Sequence, residues 1–288
     1  MENEIEIYQI DAFTSERFNG NPAGVLFDRS LTDVEKQKIA CEMNLSETAF
    51  ISDSQIADFK LQWFTPTNEV KLCGHATIAS LHYLFENGLL TENHPATFET
   101  LSGIIKCFVK DRKYFMQIPT LQLEEFEGCK EEILDVLGIE RTDVPDLPFI
   151  LLSNGYLFIQ INSLKNLWDI KPDFKTLKQL SETKKEFSDV AVFTSQTIEE
   201  SSSAHLRFFA PIDGIDEDPV TGSACGPLLL VMLKLGLIKN YRNDSTIIFE
   251  QGDVLNRKGR VGVKYNSVQN ELYISGNAVT VFKGKLYL

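Results

Sequence analysis

A chain of 288 residues with 43% hydrophobic and 10% aromatic side chains is long enough for two hydrophobic cores, and too ordinary in composition for a disordered segment or a fibre. Its 41 acidic against 28 basic residues leave a net charge of -13, and no Lys/Arg stripe reverses this locally, so nucleic acid is excluded as a partner. The longest apolar run, Pro227 to Leu233, stops at Lys234 far short of the roughly 20 residues that span a bilayer, so no membrane segment is expected.

The opening Met1-Glu2-Asn3-Glu4 lacks the basic and apolar regions of a signal peptide, which points to a cytoplasmic location. Ile5, Ile7, Ile10 and Phe13, then Gly24-Val25-Leu26-Phe27, give short strand signals separated by the turn-rich Asn19-Gly20-Asn21-Pro22. Thr32-Asp33-Val34-Glu35 has capping-box spacing and predicts an amphipathic helix to about Met43. Asn44-Leu45-Ser46 breaks it, and Thr48 to Ile51 resumes as strand, which puts Glu47 at a helix-to-strand junction. Further strands are predicted at Phe59–Phe64, Ala96–Thr100, Ile104–Val109 and Tyr114–Ile118, and helices at Lys130–Leu137 and Phe174–Glu182. No alternating βαβ rhythm is visible, which disfavours a dinucleotide-binding fold. The five cysteines, Cys41, Cys73, Cys107, Cys129 and Cys225, are odd in number and scattered, which argues against a disulfide framework and a zinc site and for reduced core residues.

An internal repeat carries more information. Phe64-Thr65-Pro66 precedes Gly74-His75-Ala76 and Gly88-Leu89-Leu90, while Phe209-Ala210-Pro211 precedes Gly222-Ser223-Ala224 and Gly236-Leu237-Ile238; both Gly-to-Gly intervals are 14 residues. Phe98-Glu99 before Gly103 recurs as Phe249-Glu250 before Gly252. Between the paired glycines each half is apolar on nearly every side, and a helix without a polar stripe must be enclosed. The reading is an α+β fold of two pseudo-symmetric domains, each a mixed β-sheet or barrel wrapped around a central α-helix. Residues 1–117 form the first domain and residues 118–276 the second, with a final strand over 277–288 crossing back to the first. Both central helices open with Gly and a small residue, so their first N–H groups can hold an anion. A pseudo-twofold would turn both starts toward one interdomain cleft suited to a small carboxylate.

Asp11-Ala12-Phe13, Gly20-Asn21-Pro22-Ala23-Gly24, Leu45 to Phe50, Phe64-Thr65-Pro66, Cys73-Gly74-His75-Ala76-Thr77 and Asp216 to Ala224 together resemble the successive motifs of the phenazine-biosynthesis isomerase-like family, nearly end to end. The resemblance implies the diaminopimelate-epimerase-like fold, which agrees with the repeat, and a homodimer. It implies a cofactor-independent isomerase with no metal, moving a proton between carbons of a small amino or hydroxy carboxylic acid. Glu47 is then the general acid/base, with a carboxyl raised toward neutrality by a desolvated cleft; a solvated loop glutamate is the plainer reading. His75 orients the substrate or assists proton transfer, kept neutral by the helix start, against a purely structural histidine. Asp218 holds an amino or hydroxyl group, and Ser223 with Gly222 and the matching Gly74 hold the carboxylate; helix capping is the competing account of Asp218 and Ser223. Cys73 joins the substrate-binding residues or is a buried core thiol. The related diaminopimelate epimerases and proline racemases place a cysteine before each central-helix Gly, and here the second position is Thr221, which cannot serve as a thiolate. His82 and His205 are expected to pack. A racemase using unlike bases, a lyase or hydratase, and a non-catalytic carboxylate binder are the alternatives.

Overall fold

The computed structural model describes residues 4–243 and 245–288, which divide into two compact units, one of residues up to Ile118 together with Tyr273–Leu288, the other running from Pro119 to Leu272. In the first unit run β1 (Glu4–Ala12), β2 (Asn21–Phe27), α1 (Asp33–Met43), β3 (Glu47–Ser52), β4 (Phe59–Phe64), β5 (Glu69–Val70), α2 (Gly74–Glu86), β6 (Pro95–Thr100), β7 (Gly103–Lys110) and β8 (Lys113–Ile118). The second contains β9 (Leu123–Glu125), α3 (Lys130–Leu137), β10 (Ile150–Leu152), β11 (Tyr156–Gln160), α4 (Leu164–Asp169), α5 (Phe174–Lys184), β12 (Asp189–Thr194), β13 (Ala204–Ala210), β14 (Ile215–Asp218), α6 (Gly222–Lys234), β15 (Ile247–Gln251) and β16 (Gly259–Asn266). The chain then runs through β17 (Glu271–Gly276) to β18 (Ala278–Tyr287), which lies antiparallel to β1.

Strand pairing repeats between the units. In the first, β1 is antiparallel to β2, β2 parallel to β3, β3 antiparallel to β4, β4 parallel to β6 and β6 antiparallel to β7. In the second, β10, β11, β12, β13, β15 and β16 follow the same order of directions. Each parallel pair needs a helical crossover, and α1, α2, α4 with α5, and α6 supply them. The expectation of no βαβ rhythm is corrected here, because antiparallel strands inserted between the crossovers hide the alternation. The turn assigned to Asn19–Pro22 is also shorter, since β2 begins at Asn21. Pro22 is tolerated there because β2 takes up its second neighbour, β3, only from Ala23 onward.

α1 carries the expected capping box: Thr32 Oγ1 accepts the Glu35 N–H while the Glu35 carboxylate accepts the Thr32 N–H. The two central helices owe their equal length to matching ends. Gly88 and Gly236 have φ of +70° and +69°, left-handed values that Gly adopts without a Cβ penalty. In both, the glycine N–H and the next residue's N–H bond back to the last turn, Leu89 to Leu84 and Leu237 to Met232. Ten of the 13 residues of α2 and nine of the 13 of α6 are buried, so each is enclosed by its own unit. A fully buried Leu, Ile or Val in such a helix contributes about 1.5–3 kcal/mol.

The repeat needs one register change. Thr100 pairs with Gly103, whereas Gln251 pairs with Gly259, so Gly259 and not Gly252 is the counterpart of Gly103. A 3₁₀ turn at Asp253–Leu255 fills the longer connection. Cys73, Cys107 and Cys225 are buried thiols, but Cys41 is exposed and Cys129 half-buried, because α1 is a surface helix and Cys129 sits at the entry to α3. Among the described residues no helix is long and apolar enough to cross a membrane.

Candidate active site

In the first unit, four residues meet between the start of α2 and the start of β3. Asn44 ends α1 in the left-handed conformation (φ +50°), which turns the chain sharply so that Glu47 opens β3 in register with Ala23. Cys73 is the N-cap of α2, Gly74 its first residue and His75 its second. His75 Nε2 is 3.3 Å from Glu47 Oε2 and 3.3 Å from Ser46 Oγ, and His75 Nδ1 is 3.5 Å from Cys73 Sγ. A neutral ring protonated on Nε2 satisfies this arrangement, donating to Ser46 Oγ beside the carboxylate and accepting from the thiol. Burial holds the imidazole at a pKa of about 3, so it stays neutral through the physiological range. Burial thus does what the helix dipole was expected to do.

The Glu47 side chain is 14% exposed and that of His75 6%, so the pair is shielded but not sealed. A solvated loop glutamate is ruled out by these contacts. Ligand-capable atoms of Glu47, Cys73 and His75 lie within 4.8 Å of one another, a carboxylate, thiol and imidazole that could together hold a divalent ion. Without one, the same set is a carboxyl group beside a neutral hydrogen-bonding ring, an arrangement able to take up a proton and return it.

In the second unit, Asp218, Gly222 and Ser223 gather at the start of α6. The N-cap is Thr221, whose hydroxyl makes no cap bond but donates to Asp218 Oδ2 at 2.5 Å. Ser223 is therefore the second helical residue and not the cap, which corrects the capping account of it. Its Oγ lies 3.5 Å from the Tyr156 hydroxyl. Asp218 braces Thr221 by accepting its hydroxyl. Gln251, 1% exposed, closes this corner: its amide donates to Asp218 O and Thr221 Oγ1, and its carbonyl accepts the Thr221 N–H at 2.8 Å. The N–H groups of Gly222 and Ser223, at the first two positions of the helix, have no intrahelical acceptor. His82 and His205 are packing residues: His82 bonds Tyr114 and Thr280, and His205 bonds Glu250.

Ser46, Tyr156, Asp189 and Gln251 belong to these corners and were not singled out from sequence, and Thr221 was noted only as the position matching a racemase's second cysteine. Ser188-Asp189 does repeat Ser46-Glu47 at the start of the equivalent strand. The spacing to the following Phe differs between the halves, which hides the match from an ungapped comparison.

The sequence profile of the phenazine biosynthesis-like proteins matches residues 10–284. The chain belongs to that family. An uncharacterized isomerase of Clostridium acetobutylicum is 40% identical over the whole of both chains. The crystal structure of a phenazine biosynthesis protein family member from Bacillus anthracis superposes with a TM-score of 0.90 at 29% identity, covering 99% of this chain and 100% of that one. A hydroxyproline epimerase of Agrobacterium vitis, 11% identical, shares the fold with a TM-score of 0.64 over 99% of this chain and 93% of its own. The phenazine biosynthesis-like fold is thus the epimerase-like fold that the resemblance implied, and the chain is an enzyme of the isomerase class.

Proposed function

We propose that this isomerase acts without a cofactor, with Glu47 as the general acid/base that moves a proton between carbons of a small amino or hydroxy carboxylic acid. The observation that supports this most is the 3.3 Å approach of the buried, neutral His75 to the Glu47 carboxylate. A neutral imidazole steadies the carboxylate's orientation without supplying the positive charge that would hold it permanently ionised. Cys73, hydrogen-bonded to His75, positions the ring. The position matching a racemase's second cysteine is Thr221, with its hydroxyl committed to Asp218, which disfavours a two-thiol route.

The carboxylate of the ligand is assigned to the open N–H groups at the start of α6, with Ser223 adding a hydroxyl and Asp218 fixing the first turn of that helix through Thr221. Ser223→Ala should weaken binding of a turnover substrate by roughly 0.5–3 kcal/mol with little change in melting temperature, since Ser223 caps nothing. Calorimetry giving equal affinities for both forms assigns the carboxylate elsewhere. The proton-transfer assignment is tested by carbon-bound hydrogen exchange in deuterated water with Glu47→Gln.

A further inference from the structure

Asp189 opens β12 as Glu47 opens β3, and it pairs in parallel register with Tyr156 of β11. Register partners share one face of a sheet. That face looks toward the start of α6, because the Tyr156 hydroxyl reaches Ser223 Oγ, whereas Leu157 and Val190, one residue on, pack in the opposite core with α3 and α5. Asp189 is 2% exposed. Its Oδ2 accepts the Ser188 hydroxyl at 2.7 Å, but its Oδ1 is buried with no hydrogen-bond partner.

A purely structural carboxylate would not keep one oxygen orphaned beside an anion-binding helix start, since buried unsatisfied acceptors are destabilising. Burial, with a contribution from Asp213, pushes this carboxyl up to about 7, so the group lacks the cationic partner that would hold it ionised. Asp213 and Asp218 add negative charge around Tyr156. A ligand cation would supply the missing partner, and the adjacent Gly222 and Ser223 N–H groups would take the ligand's anionic end.

We propose that Asp189, with the hydroxyls of Tyr156 and Ser223, forms a subsite for the protonated amino group of a small amino acid whose carboxylate rests on the first turn of α6. This rests on the carboxylate assignment above and selects amino acids over hydroxy acids. No covalent step is involved: Asp189 accepts a hydrogen bond from the ammonium and loses its own proton as the ligand binds.

The test uses the full chain and its Asp189→Asn variant, screened by thermal shift against the proteinogenic amino acids in both hands, then by calorimetry with each binder and its 2-hydroxy counterpart. At least one amino acid should stabilise the wild type, and Asp189→Asn should weaken it by about 10- to 100-fold, the range of a hydrogen bond to a charged group, while the hydroxy acid changes by less than about threefold. Tyr156→Phe, which keeps the ring packed on Phe208, should weaken the same ligand by about threefold or more and provides the readout if Asp189→Asn does not fold. The proposal is overturned if no amino acid stabilises the wild type, or if the variants bind as tightly as it does. Glu47→Gln in the deuterium-exchange measurement separates the two accounts: retained carbon-bound exchange there refutes the proton carrier, whereas unchanged binding in Asp189→Asn refutes only the amino-group subsite.

Discussion

Glu47→Gln is expected to lower carbon-bound hydrogen exchange by about 10²–10⁴-fold, and further if Glu47 is the sole proton carrier, with melting temperature and ligand affinity close to wild type. The amide keeps the size of the side chain and can still lie against His75 Nε2, so the corner between β3 and α2 stays filled. What it loses is the ability to exchange a proton at an accessible pKa. Cys73→Ala serves as the comparison, because it removes the thiol at 3.5 Å from His75 Nδ1 while leaving the carboxylate in place. Exchange that survives Glu47→Gln but disappears in Cys73→Ala would make the thiol the base.

Glu250→Ala is expected to be the most destabilising of the substitutions considered, at about 3–5 kcal/mol, because three buried donors lose their acceptor at about 1–3 kcal/mol each. Glu250 and His205 side chains are both fully buried, with His205 Nδ1 at 3.0 Å from Glu250 Oε2. The same carboxylate accepts the N–H groups of Ile198 and Glu199 at 2.9 and 2.8 Å. Alanine leaves three donors without an acceptor inside the second unit. A drop in melting temperature of roughly 10 °C follows for a unit of this size, measurable by calorimetry. Burial alone would raise the Glu250 carboxyl, but the hydrogen bonds from His205, Ile198 and Glu199 outweigh it and hold it at about 2. Because this folded value lies below the ordinary 4.5, the stabilisation is complete above pH 4.5 and is lost as the pH falls toward 2. Wild type should therefore lose stability over that window, and Glu250→Ala should show a flatter dependence there. A variant within about 1 kcal/mol of wild type at neutral pH would mean that this cluster contributes little.

Much of this organisation was legible because the decisive signals are local. The capping box at Thr32 and Glu35 sets the start of α1, and paired glycines bracket α2 and α6, so those helices fall where the spacing put them. Helix α3 matches its predicted range, and α5 runs two residues further, to Lys184. The strands of the second unit were harder to read. β12 is buried at every position, so Asp189 to Thr194 shows no alternation of polar and apolar residues. Asp189 escaped notice for the same reason: a lone aspartate before an apolar run reads as a turn residue until its strand partner, Tyr156, is known. Capping competed as an account of Ser223 because serine favours that position, but Thr221 occupies it, one residue before Gly222. Gln251 lies 30 residues from Thr221 in the chain, and only the pairing of β13 with β15 shows that β15, which it ends, lies in this sheet.

The most direct test of the account is incubation of the wild-type enzyme with a panel of small amino and hydroxy acids in deuterated water, read by NMR at the carbon-bound hydrogens. Deuterium entering a carbon position of at least one acid with wild type, and not with Glu47→Gln, is the predicted result. Deuterium entering at the wild-type rate with Glu47→Gln, or entering none of the acids with wild type, would contradict it.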